Sequence, residues 1–252
     1  MDLNLKNKKV FISGSSKGIG LCIAKKFINE GANVVINSRD AQYLEIISGS
    51  LDNCNGIAGD VSNYKEALEI VTKSANILRG IDILVCNVGS GSSVLPGQET
   101  YDEWQRVFNI NFYSATNLVE ASRPFLSESK GSIVCISSIC GHETIHGAPV
   151  TYSVAKSALN TYVKSISYPM AKEGIRINAV APGNINFKGS SWSKKMTQNP
   201  KAVKEILEKN VPLNKFGTPD DIANISLWLS SDLANFVTGA IFTSDGGQTR
   251  SK

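Results

Sequence analysis

The chain has 252 residues, with hydrophobic residues at 42% and charged residues at 19%, proportions of a soluble globular protein that can bury an ample core as one large α/β domain or two small ones. Its formal net charge of +4 is spread along the sequence, without the clustered basic face that nucleic-acid binding requires. No window approaches the roughly 18 apolar residues of a membrane span, and residues 1–6 lack the apolar core of a signal peptide.

Apolar strand-like runs lie at 9–13, 33–37, 56–58, 82–87, 132–137, 176–180 and 240–244, with stretches of helical period at 18–30, 40–49, 62–78, 100–127, 151–172 and 218–230. Several strands are continuous rather than alternating, as in Val10-Phe11-Ile12, Val34-Val35-Ile36 and Ile83-Leu84-Val85, which predicts burial on both faces. The alternation predicts an α/β doubly wound parallel sheet of seven strands, a Rossmann fold, spanning 1–252 as a single domain. One irregular region, 184–217, reads as a lid insertion carrying one short helix. It ends where Thr218 caps a helix that has Pro219 at its first position and Asp221 at its third.

The five cysteines, Cys22, Cys54, Cys86, Cys135 and Cys140, form no CxxC and have no histidine at zinc spacing. No metal site is expected. Cys22, Cys86 and Cys135 fall in apolar segments and read as buried small hydrophobes in a reducing cytoplasm.

Between the first strand and first helix the chain reads Ser13-Gly14-Ser15-Ser16-Lys17-Gly18-Ile19-Gly20. Such a turn lets a pyrophosphate approach the backbone and the helix N–H groups, although its G-x-x-x-G-x-G spacing differs from the commoner G-x-G-x-x-G. After the second strand an NAD site places an acid on the ribose 2′-hydroxyl. Here the chain reads Asn37-Ser38-Arg39, with no acid until Asp40. Arg39 offers a planar donor fork to a 2′-phosphate and Lys17 lies near it, so NADP(H) is expected. Asp60 and Val61, after the third strand, are placed for the adenine edge. Asn87, Val88 and Gly89, after the fourth, pass beneath the cofactor.

Tyr152 and Lys156 stand four residues apart, fourteen and eighteen residues after Ser138. A phenol and an ammonium at i and i+4 share one helix face and describe proton transfer beside a bound dinucleotide. With the glycine turn, Asp60-Val61, Asn87-Val88-Gly89, Asn111, Ser138, Tyr152/Lys156, Pro182-Gly183 and Asp245-Gly246-Gly247 in this order, the chain resembles the short-chain dehydrogenase/reductase family over nearly its whole length. The resemblance implies that Tyr152 is the general acid, that Lys156 lowers its pKa and holds the nicotinamide ribose, that Ser138 bonds the substrate carbonyl, and that Asn111 anchors a water. It also implies that Pro182, Gly183 and Ile185 border the cofactor. One departure is Phe187, where the family often has a cofactor-binding Thr. His142 and His146 lie between Ser138 and Tyr152 and read as loop residues.

The substrate is less legible. Many similar reductases act on 3-oxoacyl groups of acyl carrier protein and dock it on arginines at the active-site mouth; the matching positions here are Ser129 and Glu173. From 188 to 215 there are seven lysines (188, 194, 195, 201, 204, 209 and 215) against Glu205 and Glu208, a local +5. They read as a solvated face or as a cover for an anionic substrate. Segments at 182–192 and 245–250 also resemble reductases of bacterial surface-sugar synthesis. A carbonyl reductase for an anionic small molecule such as a sugar derivative is therefore expected. The alternatives are a 3-oxoacyl reductase and a non-catalytic dinucleotide sensor. Apolar positions on more than one face of the helical stretches at 100–127 and 151–172 (Phe108, Phe112, Leu118, Leu159, Tyr162, Ile166) predict a homotetramer, as in most members of the resembled family.

Overall fold

Continuous apolar runs require cover on both sides. In the computed structural model, which describes residues 2–250, they form one parallel sheet between two helical layers. The strands are β1 (Lys9–Ile12), β2 (Asn33–Ser38), β3 (Cys54–Ala58), β4 (Ile83–Cys86), β5 (Ser132–Ile136), β6 (Arg176–Pro182) and β7 (Ile241–Ser244). The seven are ordered β3-β2-β1-β4-β5-β6-β7. The helices are α1 (Gly18–Asn29), α2 (Ala41–Gly49), α3 (Tyr64–Leu78), α4 (Tyr101–Phe108), α5 (Ser114–Ser129), α6 (Val150–Lys172), α7 (Ser191–Gln198), α8 (Pro200–Asn210) and α9 (Pro219–Ser230).

Alternate strand residues serve two cores. Phe11, Val35, Leu84 and Ile133 pack with Val71, Leu118, Leu159 and Val163. Val10, Ile12, Val34, Ile36, Val85 and Val134 pack with Ile23, Phe27, Ile222 and Leu229 on the other face. The chain moves outward from β1 to β3, then crosses to β4 on the other side of β1. That reversal opens a crevice at the carboxyl ends of β1 and β4, the place where such sheets bind ligands.

Local chemistry sets the helix boundaries. Asp40, Asn63 and Thr100 accept N-terminal backbone bonds of α2, α3 and α4. Thr218 and Asp221 form the expected reciprocal capping box. The lid departs from expectation in carrying two helices. Asn199, with φ −151° and ψ 80°, ends α7 and caps Ala202 of α8, and Pro200 starts the second helix because it forbids continuation of the first. The helical stretch at 100–127 is also divided, by a wide π turn at Asn109–Tyr113.

Leu118 and Leu159 lie in the protein's own core, 0% and 1% exposed, so they offer nothing to a partner. Ser129 is the last residue of α5 and Glu173 directly follows α6, both a few residues before the amino ends of β5 and β6. This corrects their expected place at the mouth, since Tyr152 lies at the opposite end of α6. Of the three cysteines expected to be buried, Cys86 and Cys135 are, whereas Cys22 is half-buried beside Asp220 and Lys26. Among the described residues no helix is long and apolar enough to cross a membrane.

Candidate active site

The crevice is stitched across its floor. Asn87 N–H donates to Ser13 Oγ at 3.1 Å, and Asn87 Nδ2 donates to the carbonyls of Ser13 and Gly14 at 3.2 and 2.8 Å. A Cβ at Gly20 would lie 2.5 Å from Asn87 Nδ2, so only glycine lets the helix start come this close. Gly18 takes φ +58°. Lys17 stands at the N-cap of α1 in extended conformation and no side chain caps that terminus. The first N–H groups of α1 are thus left for an anion, with Ser16 buried and Ile19 half-buried in the same turn. This cradle fits a pyrophosphate.

Beyond β2, Ser38 Oγ donates to the Asp40 carbonyl at 3.2 Å and the Asp40 carboxylate accepts from Tyr43 N–H at 3.0 Å. The first acid after β2 is therefore occupied as a helix cap. Arg39 is 74% exposed, with Nη1 3.8 Å from Asp60 Oδ2, while Asp60 Oδ1 accepts from Ser62 N–H and Oγ at 2.9 and 2.7 Å. Val61 is turned into the core at 1% exposure, and its carbonyl accepts from Asn117 Nδ2 at 3.2 Å.

Across the crevice, Val88 packs against the core and against Gly14. A Cβ at Gly89 would lie 3.1 Å from both Asn111 Oδ1 and Lys156 Nζ. Asn111, at the centre of the π turn, accepts from Ser90 N–H at 2.8 Å and donates to the Ser90 and Val107 carbonyls at 3.1 and 3.0 Å. Its amide is thus engaged in holding Ser90. Sequence reasoning did not single out Ser90; its position directly after Gly89 was the available signal.

Ser138 ends the β5 segment, 7% exposed, and its Oγ accepts from Cys140 N–H at 3.2 Å. Gly141 lets this turn lie on α6, where a Cβ would be 2.7 Å from the Lys156 carbonyl. The result is that Ser138, Tyr152 and Lys156 meet. The Ser138 hydroxyl lies beside the Tyr152 phenol, and the Cys140 thiol lies beside Ser138 and Ser153. Lys156 is 2% exposed; its Nζ donates to the Ile136 carbonyl at 2.9 Å and lies 5.9 Å from the Tyr152 ring centre.

Burial pushes the Tyr152 phenol up to about 12, against the pull of the Ser138 bond. The Lys156 ammonium, expected to act on this phenol, donates here to the Ile136 backbone carbonyl. Burial pushes Lys156 down to about 8, and the facing groups that oppose this are the thiols of Cys135, Cys86 and Cys140.

Gly183 N–H donates to the Ser244 carbonyl at 2.9 Å, just past Pro182 at the end of β6. Ile185 bridges to Gly217 at the root of the lid, and the Phe187 ring covers Gly18, 2.6 Å from where a Cβ would stand. His146 is exposed. His142 is half-buried, its Nε2 has no partner, and burial lowers its pKa, with Lys164 adding to this and Asp245 opposing.

The buried ammonium has a consequence in solution. Lys156 in the unfolded chain titrates near its ordinary 10.5 and in the folded protein at about 8. Between these values the unfolded chain binds more protons, so stability rises with pH. Chemical denaturation in steps from about pH 8 to 10 should show the parent gaining on Lys156→Met, which has nothing to titrate there. Parallel curves for the two proteins would refute the buried charge.

The comparisons with known proteins agree with this geometry. A family model described as enoyl-(acyl carrier protein) reductase matches residues 14–249. Isoepoxydon dehydrogenase patN of Aspergillus clavatus is 32% identical over 97% of this chain and 95% of its own. The 3-oxoacyl-[acyl-carrier-protein] reductase FabG of Chlamydia pneumoniae is 32% identical over 99% of this chain and 100% of its own. The structure of L-sorbose reductase from Gluconobacter frateurii, complexed with NADPH and L-sorbose, superposes with a TM-score of 0.93 at 28% identity, covering 100% of both chains. With the sheet order, the glycine turn and the Ser138–Tyr152–Lys156 cluster in place, these full-length matches establish that the chain belongs to the short-chain dehydrogenase/reductase family.

Proposed function

We propose that the protein reduces the carbonyl of a small anionic or polyhydroxylated compound with NADPH, or catalyses the reverse oxidation, with Tyr152 as general acid and base. Membership of the family makes the chain an oxidoreductase acting on CH–OH and C=O groups. The observation that carries the reading is the convergence of Ser138, Tyr152 and Lys156 on the crevice that holds the glycine turn. NADPH supplies the hydride when bound. Tyr152 carries its proton at neutral pH and would give it to an oxygen that gains negative charge. The Ser138 hydroxyl, beside the phenol, would orient that oxygen. The Lys156 ammonium is close enough to leave Ile136 and hold ribose hydroxyls beside Gly89. Asn111 keeps the Ser90 backbone fixed behind them.

Arg39 and Lys17 are exposed at the cofactor end and Asp40 is occupied as a cap, which favours a 2′-phosphate over a free hydroxyl. The L-sorbose reductase structure, similar throughout, contains NADPH. NADPH should therefore bind at least tenfold more tightly than NADH by fluorescence titration, and Arg39→Asp should erase or reverse the preference, since tenfold corresponds to about 1.4 kcal/mol, within the range of a charge-assisted bond. Equal affinities in the parent would remove the assignment. NADPH consumption over keto sugars, sugar nucleotides and 3-oxoacyl thioesters separates the substrate readings; turnover of the thioesters alone would favour the acyl reductase. Absence of turnover on every carbonyl, with cofactor binding intact, would favour the sensor.

The lid supports an anionic substrate. Lys188, Lys194, Lys201, Lys209 and Lys215 are exposed, whereas Lys204 pairs with Glu208 at 3.6 Å and Lys195 stacks 4.6 Å over Trp192. Replacing Lys194 and Lys201 with Ala should raise KM for an anionic substrate and spare kcat, and added salt should raise the parent KM, because exposed charges are screened over about 8–10 Å. A double variant with parental KM at low salt would leave the lysines a solvating role.

We also assign the protein to a homotetramer. Trp104, Phe108, Phe112 and Tyr162 form a chain of ring contacts at 6.0–6.1 Å along α4, the π turn and α6, and these rings stay partly exposed. Light scattering at micromolar concentration should give about four times the chain mass; a monomer would end this reading.

A further inference from the structure

Beside the Tyr152 ring, one wall of the crevice is formed by residues 89–94, an irregular segment held at two points. Asn111 grips Ser90 from the π turn. Glu103, on α4, grips the other end: its carboxylate accepts from Ser93 Oγ at 2.6 Å and from Arg106 Nε and Nη2, both at 2.7 Å. Arg106 Nη2 also donates to the Ser92 carbonyl at 2.8 Å. The Glu103 side chain is only 13% exposed.

The chain of bonds continues into the catalytic helix. Ser93 Oγ lies 2.6 Å from Thr151 Oγ1, and Thr151, fully buried, directly precedes Tyr152. The proton directions follow from valence. An ionised carboxylate only accepts, and Glu103 is held ionised, its pKa lowered to about 2 by Arg106 first and Ser93 second. Ser93 therefore gives its single hydroxyl proton to Glu103, and Thr151 must donate to Ser93. Between the two grips, a Cβ at Gly91 would lie 3.9 Å from the Tyr152 ring, so a shift of this wall changes the space in front of the phenol.

We propose that Glu103 is a positioning residue for the reacting centre, which sets, through Ser93 and Thr151, the spacing between the 89–94 wall and the first turn of α6. The proposal rests on the reading of Tyr152 as the general acid. Glu103 touches neither substrate nor cofactor. It acts on where a carbonyl can stand relative to the phenol, and misplacement of reacting atoms by about 1 Å costs up to a hundredfold in rate.

The test uses the full-length protein and the fastest substrate of the carbonyl panel. Thr151→Val keeps the shape and removes the donor; Ser93→Ala cuts both links; Glu103→Gln keeps the size and removes the charge. Each should lower kcat about tenfold to a hundredfold, with NADPH affinity and KM within about twofold of the parent. Thr151→Ser should restore most of the rate. The Ser93→Ala/Thr151→Val pair should be no slower than Ser93→Ala alone, because both break one chain. Parental kcat in Thr151→Val and Glu103→Gln overturns the proposal, as do losses of kcat that follow thermal stability and are not rescued by Thr151→Ser. If Thr151→Val does not fold, Ser93→Ala in the half-buried loop decides. Tyr152→Phe is run alongside: retained turnover there would bring down the catalytic reading and this proposal together, whereas an inactive Tyr152→Phe with a normal Glu103→Gln brings down this proposal alone.

Discussion

The site depends on one contact, the Asn87 amide laid across the ends of β1 and β4. At the reversal of strand order the two chains diverge, and without a cross-link the glycine turn and the 87–89 segment would be independent loops. Asn87 satisfies the carbonyls of Ser13 and Gly14 and takes the Ser13 hydroxyl on its own N–H. A buried carbonyl left unpaired is costly, on the order of 1–3 kcal/mol each, so this seam also fixes the start of α1. The distance from the pyrophosphate cradle to Gly89, Lys156 and Tyr152 follows from it.

Around Lys156 the electrostatics have an unusual composition. The groups that oppose loss of its charge are thiols, not carboxylates, and its hydrogen bond goes to a neutral carbonyl. A carboxylate would bind the ammonium more strongly and hold it in one place. Neutral neighbours leave the charge only weakly engaged, and therefore available to a ligand.

Much of this was legible in the sequence because it rests on residue type at fixed spacing. The continuous runs around Phe11, Val35 and Leu84 dictated a doubly covered parallel sheet, and the Tyr152–Lys156 interval dictated a shared helix face. What was not legible depends on contacts between distant segments. Nothing in the spacing of Ser93, Glu103 and Thr151 shows that they meet. The π turn at Asn109–Tyr113 is a local widening inside a stretch of helical period, and such period is insensitive to it. The partner of Lys156 was hidden for a similar reason: the i, i+4 spacing places two groups on one face without saying that the ammonium donates to the Ile136 carbonyl.

The cap at Asp40 bears on how this protein's cofactor preference could change over evolutionary time. The nearest acid after β2 is present but holds Tyr43 N–H at the start of α2, and losing such a cap costs roughly 1 kcal/mol. A lineage drifting toward NAD would not reach it by turning this carboxylate around. It would need a new acid at position 38, where Ser38 stands, or at position 39, where the same step gives up the Arg39 cation. The cap thus acts as a barrier in sequence space, and it lies outside the cofactor site that it protects.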